Sequence, residues 1–245
     1  MQRLALFDLD NTLVDRQLAL SAWAMEFADD RGLGREAVRW LIAADGQGLR
    51  ARDQFFREVR EHFGLAQCAG ELWAGFRARM PDLVRCEPEV LEGLSQLRAS
   101  GWRVGMVSNG MADHQLAKIQ RSGLGERVDA CCVSGEVGVR KPDVRILQLA
   151  AERCGTALGA GGWMVGDDPE HDIAGGRAAG LPGCARCGSV GSSSGLGASR
   201  QPTGRFQVRW PRSGFCEMAL TWAVLRACLR ARRRQPGSSR RKLIR

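Results

Sequence analysis

The segment Leu4-Ala5-Leu6-Phe7-Asp8-Leu9-Asp10-Asn11-Thr12-Leu13 constrains the chain most, because an apolar run leads directly into two carboxylates spaced one residue apart. A short continuous apolar run is expected of a strand covered on both faces of a parallel sheet. The carboxyl ends of such strands are where open parallel sheets keep their sites. Side chains alternate along extended backbone, so Asp8 and Asp10 can face one crevice while Leu9 points away. Taken alone, the same residues also suit a loop with a capping aspartate.

Three later segments supply what a site of clustered acids needs. Val104-Gly105-Met106-Val107-Ser108-Asn109-Gly110 is a second apolar run ending in small polar residues, followed by a helical pattern through Leu116, Ile119 and Gln120. That pattern predicts Ser108 and the following backbone N–H groups at a helix N-terminus, a place that favours an anion, or simply a cap. Val137-Gly138-Val139-Arg140-Lys141-Pro142-Asp143 is notable because Lys118, Lys141 and Lys242 are the only lysines among 36 basic residues. An ammonium is a compact charge on a flexible stem, suited to bridging a carboxylate and an anion. Trp163-Met164-Val165-Gly166-Asp167-Asp168-Pro169-Glu170-His171-Asp172 is another apolar strand delivering acids to its end. Asp167 and Asp172 can there join Asp8. Carboxylates this close repel unless a cation sits among them, and an all-oxygen set suits Mg²⁺. His171 reads as a local hydrogen-bonding group, since imidazole suits softer metals.

Together these motifs resemble the haloacid dehalogenase superfamily, whose pattern is Asp-x-Asp-x-Thr, a Ser or Thr after a second strand, a Lys, then Gly-Asp-x-x-x-x-Asp. All four occur in order between Asp8 and Asp172. Leu9 to Arg16 and Gly135 to Asp143 look like the bacterial phosphatase-type members. The resemblance implies a Rossmann-like, doubly wound parallel α/β sheet with an inserted helical cap. It also implies a Mg²⁺-dependent phosphatase working through an aspartyl-phosphate. Asp8 would be the nucleophile and Asp10 the acid and base. Thr12, Ser108, Asn109 and Lys141 would hold the phosphoryl oxygens. The metal site would comprise the Asp8 carboxylate, the Asp10 carbonyl, Asp167 and Asp172, the last acting through a water or by orienting Lys141, itself counted with Asp8 and Asp10 as catalytic. Asp168 is the acid with the weakest claim. Superfamily dehalogenases lack the second acid, so Asp10 favours phosphate ester hydrolysis. A phosphomutase would keep the same acids, and a non-catalytic polyanion-binding product is the remaining alternative.

Residues 1–14 and 88–182 are accordingly read as the core, and 15–87 as the cap. Ala19, Leu20, Trp23, Ala24 and Phe27 follow helical spacing, as do Ala37, Trp40, Leu41 and Ala44, then Phe55, Phe56, Val59 and Phe63, then Leu72, Trp73 and Phe76, giving about four helices. Arg50, Arg52 and Arg57 either meet an acidic substrate or form a solvated helix face. After Pro88 the pattern predicts helix near 90–99, strand 103–107, helix 113–122, strand 129–134, helix 143–154 and strand 163–165, an alternation that argues for a parallel sheet.

Bulk charge is concentrated at one end. Of 36 Lys plus Arg and 27 Asp plus Glu, 14 bases and one acid (Glu217) lie from Gly183 onward, so that segment carries a net +13 and the remainder −4. Gly, Ser and Arg richness in residues 183–245 reads as disorder or as a frameshifted product, and nucleic-acid binding is not expected without a recognisable fold for it. Superfamily members usually continue Ala-Gly-Leu with a strand such as Leu-Arg-Thr-Val-Trp, whereas Ala179-Gly180-Leu181 here precedes Pro182-Gly183-Cys184-Ala185-Arg186-Cys187. A permitted back-translation, CCG GGC TGC GCA CGG TGT GGG TCA GTC GGG, reads from the last base of the Gly183 codon as Leu-Arg-Thr-Val-Trp-Val-Ser-Arg. A tandem duplication of CCGGGCTG at Leu181 would shift the frame, and resequencing that locus without finding the repeat would refute the idea. On this reading the sheet loses its edge strand, for which Phe206 to Trp210 is a substitute.

Cys68, Cys86, Cys131, Cys132 and Cys154 read as reduced, mostly buried thiols, while Cys184, Cys187, Cys216 and Cys228 complete no zinc pattern. Met1 to Phe7 reads as a core strand rather than a leader, and no run is long enough to span a bilayer, so a cytoplasmic enzyme acting on a small phosphorylated substrate is expected.

Overall fold

The structure is a computed structural model and describes residues 3–48, 50–181 and 183–185. The first strand, β1 (Arg3–Phe7), is followed by four helices, α1 (Arg16–Asp29), α2 (Gly34–Ala44), α3 (Arg52–Phe63) and α4 (Ala69–Leu83). The chain then alternates through α5 (Pro88–Ala99), β2 (Trp102–Ser108), α6 (Ala112–Arg121), β3 (Ala130–Val133), the short α7 (Ser134–Val137), α8 (Val144–Arg153) and β4 (Gly162–Gly166). A π-helix (Pro169–Ala174), α9 (Gly175–Ala178) and β5 (Gly183–Ala185) complete it. The sheet is wholly parallel in the order β3-β2-β1-β4-β5, with Phe7 opposite Met106 on one side and Val165 on the other.

The two faces of β1 explain its uninterrupted apolar run. Ala5 and Phe7 join Val104, Met106, Leu94 and Leu97 in one core, while Leu4 and Leu6 join Ile146, Leu147, Ala150 and Met164 in another. Helices therefore cover the sheet on both sides, the doubly wound arrangement expected from the sequence. The first core continues without a break into α1 to α4, where Trp23, Phe55, Phe56 and Phe76 are all buried. Ring centroids there lie 4.8–6.5 Å apart at mostly tilted or edge-to-face angles, the spacing aromatic pairs prefer.

Local signals set the helix ends. Asp15 accepts from the Leu18 amide at 2.9 Å to start α1, and Asp143 does the same for Arg145 at 2.9 Å ahead of α8. Cys68, expected among buried thiols, is exposed and caps α4: its Sγ accepts from the Glu71 amide while Glu71 accepts from the Cys68 amide. Cys132 and Cys154 are buried, and Cys68, Cys86, Cys131, Cys132 and Cys154 are free. Arg50, Arg52 and Arg57 are all engaged within the helical layer, by Glu58, Asp45 and Asp53 respectively.

Two expectations need correction. Ser108 ends β2 but does not begin the next helix, which is preceded by Met111 and makes no side-chain cap hydrogen bond; three residues intervene. The edge of the sheet beyond β4 is also occupied, since Met164, Val165 and Gly166 pair with Gly183, Cys184 and Ala185. Strand pairing uses backbone groups, so these three residues can pair whatever their side chains. The rest of the tail, including the proposed substitute strand at Phe206 to Trp210, lies outside the described residues. Among the described residues no helix is long and apolar enough to cross a membrane.

Candidate active site

Four loops meet at the carboxyl end of the sheet around a cleft of about 360 Å³, whose wall includes Asp8, Asp10, Ser108, Lys141, Asp167 and Asp172. The loop after β1 is folded tightly. The Leu9 carbonyl accepts from the amides of Thr12, Leu13 and Val14 at 3.0–3.3 Å, and Asn11 takes a left-handed φ of 58°. That curl buries Leu9 in the core and leaves both flanking carboxylates on the cleft. Thr12 is pulled beneath the surface, 2% exposed, and is not part of the cleft wall.

Lys141 Nζ bridges two acids, donating to Asp8 Oδ1 at 2.5 Å and to Asp172 Oδ1 at 2.7 Å. Its backbone is fixed by a reciprocal pair with the Asn109 side chain: the Lys141 amide donates to Oδ1 at 2.9 Å and Asn109 Nδ2 donates to the Lys141 carbonyl at 3.0 Å. Asn109 thus spends its amide on placing Lys141. Asp172, almost fully buried, also accepts from the Asp168 amide at 3.1 Å. Its contact with Lys141 fits the orienting use expected of it, and it also offers an oxygen to the cluster with Asp8 and Asp167. Burial pushes the Asp8 carboxyl up, Lys141 pulls against it and Asp172 adds to the rise, leaving it at about 7. The lysine lies above its ordinary range, because the carboxylates of Asp8 and Asp172 outweigh the burial that opposes its charge.

Asp10 lives in a different field. Lys118 Nζ donates to both of its oxygens, at 2.9 and 2.8 Å, and Gln115 Nε2 donates to Oδ2 at 3.0 Å and to Ser108 Oγ at 2.6 Å. Burial opposes ionisation, but Lys118, Arg16 and these hydrogen bonds outweigh it and hold Asp10 down to about 2. Two carboxylates two residues apart are thus driven in opposite directions by their own surroundings.

Asp8, Asp167 and Asp172 each offer an oxygen, all within 4.8 Å of one another. Asp167 is raised by burial and then by the charge of Asp172. Asp168 stands apart: it caps the π-helix, accepting from the amides of Glu170 and His171 at 2.8 Å, and holds His171 Nδ1 at 2.8 Å. Asp168 and His171 thus hold one another at the start of the π-helix.

The helical layer contributes Arg16, Gln47 and Gly48 to the cleft. Arg16 is fixed by two hydrogen bonds of 2.8 Å to the fully buried Asp45, which also accepts from Arg52 at 2.7 Å. Sequence reasoning missed Arg16, Gln115 and Lys118. The one available signal was the rarity of lysine, which set Lys118 beside Lys141 without saying where it pointed.

Comparison with known proteins agrees with this geometry. The family model for haloacid dehalogenase-like hydrolases matches residues 2–180. The chain is 36% identical over 134 residues to the phosphoserine phosphatase of Thermus thermophilus, covering 53% of this chain and 52% of that protein, so it spans about half the length of that relative. It is 32% identical over 203 residues to the ribulose-1,5-bisphosphate 5-phosphatase of Halopiger xanaduensis, covering 74% and 83% respectively. Among solved structures, the HAD-hydrolase YfnB of Bacillus subtilis superposes with a TM-score of 0.58 at 24% identity over 75% of this chain and 88% of that one, a likeness of fold. A family match over residues 2–180, on this fold and with these acids at its strand ends, places the chain among the haloacid dehalogenase-like hydrolases.

Proposed function

We propose that the protein hydrolyses a small phosphorylated metabolite through an aspartyl-phosphate formed on Asp8, with Asp10 as acid and base. The observation that carries this reading is the convergence of Asp8, Asp10, Lys141 and Asp167 on one cleft at the strand ends, with Asp8 held by Lys141 and Asp10 by Lys118. Two relatives named for phosphate ester hydrolysis support the substrate class.

An Asp8 oxygen attacks phosphorus, and the P–O bond to the leaving group breaks as Asp10 gives that oxygen a proton. Water then attacks phosphorus, Asp10 takes its proton, and the acyl-phosphate bond to Asp8 breaks to release inorganic phosphate. Two moderate steps replace one difficult displacement. Asp10 is ionised in the free site and takes up its proton as substrate binds: an anionic phosphoryl group beside it raises its proton affinity by like-charge repulsion, and the proton carried by the phosphate monoester is the one it accepts. Lys141, Ser108 and backbone N–H groups after β2 offer donors to the phosphoryl oxygens, so catalysis rests on positioning and charge neutralisation.

The acidic cluster fits a hard divalent ion, since its donors are all oxygen and converge within 4.8 Å. Asp8 and Asp167, with the Asp10 carbonyl, would hold Mg²⁺, which when bound supplies positive charge opposite the phosphoryl oxygens. Asp172 would complete the acidic set while orienting Lys141. We further read α1 to α4 as a cap over the cleft, with Arg16 and Gln47 facing the leaving group.

The test is phosphate release from an aryl phosphate and a panel of sugar phosphates and nucleotides, with Mg²⁺ and after chelation. Release that needs the ion and disappears in Asp8→Asn supports the reading. Release that survives in Asp8→Asn contradicts it.

A further inference from the structure

Lys118 is left without a role by the reaction as described. It is one of three lysines in a chain with 36 basic residues, it is 2% exposed, and its described hydrogen bonds go only to the two oxygens of Asp10. An ammonium seated on both oxygens of a carboxylate sets the rotation of that group as well as its charge. Three residues earlier on the same helix face, Gln115 ties Asp10 to Ser108 through a single amide nitrogen. One short helix therefore orients the proton-transferring carboxylate and a hydroxyl on the phosphoryl side of the cleft.

The helix is itself held firmly. Ile119 is buried in the core beside the sheet. On the other side α6 packs on α4, where His114 lies against Trp73 and Phe76, and Asp113 and Arg121 pair with Arg77 and Asp82. A carboxylate that must meet both a leaving oxygen and an incoming water gains from such a rigid support, because small misplacements of a catalytic group cost large factors in rate.

We infer that Lys118, assisted by Gln115, is a positioning residue that aims the Asp10 carboxylate at the leaving-group oxygen. This rests on the phosphatase reading of the site. Its consequence is selective: leaving-group protonation matters greatly for an alkoxide and little for a nitrophenolate, which departs as a stable anion. A residue that aims the acid is therefore needed most by alkyl esters.

The experiment measures kcat/KM, which reports the first chemical step, for an alkyl phosphate and a nitrophenyl phosphate with wild type, Lys118→Met and Gln115→Leu, circular dichroism confirming folding. The expected loss in Lys118→Met is about 10²-fold for the alkyl ester and under about tenfold for the aryl ester, in line with the usual contribution of a positioned acid. Gln115→Leu should show the same bias at smaller size, which keeps the test available if Lys118→Met fails to fold. Equal losses for both esters, or none, would overturn the inference in favour of a merely structural lysine. If wild type hydrolyses neither ester, the phosphatase reading falls, and crystal structures then decide the assignment separately. An Asp10 carboxylate turned from its place in Lys118→Met upholds it; an unmoved one refutes it.

Discussion

The ammonium of Lys141 stands 2.5 Å from Asp8 Oδ1, joining residues that lie 133 positions apart in the chain. With Asp172 at 2.7 Å on the same nitrogen, one buried cation serves two buried anions. Removing it leaves both uncompensated, which for buried pairs costs about 3–5 kcal/mol. Lys141→Met should lose about that much at pH 7.5 in urea unfolding. Burial already raises the Asp8 carboxyl and Lys141 opposes that rise, so without the cation the folded state binds a proton at Asp8 more readily than the unfolded chain and the deficit shrinks as pH falls. A variant as stable as wild type at pH 7.5 would show that the bridge contributes nothing net.

Gly166 ends β4 beneath Asp172. A Cβ built there would coincide with the Asp172 carboxylate, and the backbone around it belongs to the sheet. Gly166→Ala should therefore lose about 1–3 kcal/mol, as overpacked sites do. Its phosphatase activity should fall further than its stability suggests, because the group displaced is the one that orients Lys141. Gly159→Ala is the matched control, with nothing within 4 Å of its added carbon and an expected change within about 0.5 kcal/mol. Thermal melts and phosphate release on the two variants check both points.

His114 reports on the packing of α6 against α4. Burial, then the nearby charge of Lys118, push its imidazole down from 6.5 to about 4. Between those values the unfolded chain carries a proton that the folded chain does not, so stability is full above pH 6.5 and is lost as pH falls toward 4. At about 1.4 kcal/mol per unit, the fall across that window amounts to roughly 2–3 kcal/mol. Urea unfolding of wild type and His114→Gln at pH 4.5, 5.5 and 7 should show the substitution flattening the slope. An unchanged slope would mean that His114 does not titrate differently on folding.

The sheet was readable because its strands carry their burial in one dimension. Leu4 to Phe7 and Trp163 to Val165 are apolar without interruption since both faces are covered, and each run stops where acids begin. Asp8, Asp10, Asp167 and Asp172 could be brought together from that pattern alone. Lys118 could not, because periodicity says that α6 is a helix but not which face meets a loop 108 residues away. The Arg16–Asp45 pair was hidden for the same reason, with one partner at a helix start and the other just past the end of α2. Ser108 was misplaced relative to α6 because nothing local distinguishes a helix starting at once from one starting three residues later. The three-residue β5 left no mark either, since a free strand edge pairs through backbone groups common to any sequence.

The most direct test of the central claim is rapid acid quenching of the enzyme mixed with Mg²⁺ and a nitrophenyl phosphate, followed by mass spectrometry of the peptide that contains Asp8. The expected result is a transient phosphoryl group on Asp8, absent in Asp8→Asn and accumulating in Asp10→Asn, where the water-activating carboxylate is gone. Sustained phosphate release with Asp8 never modified, or undiminished in Asp8→Asn, would contradict an aspartyl-phosphate mechanism.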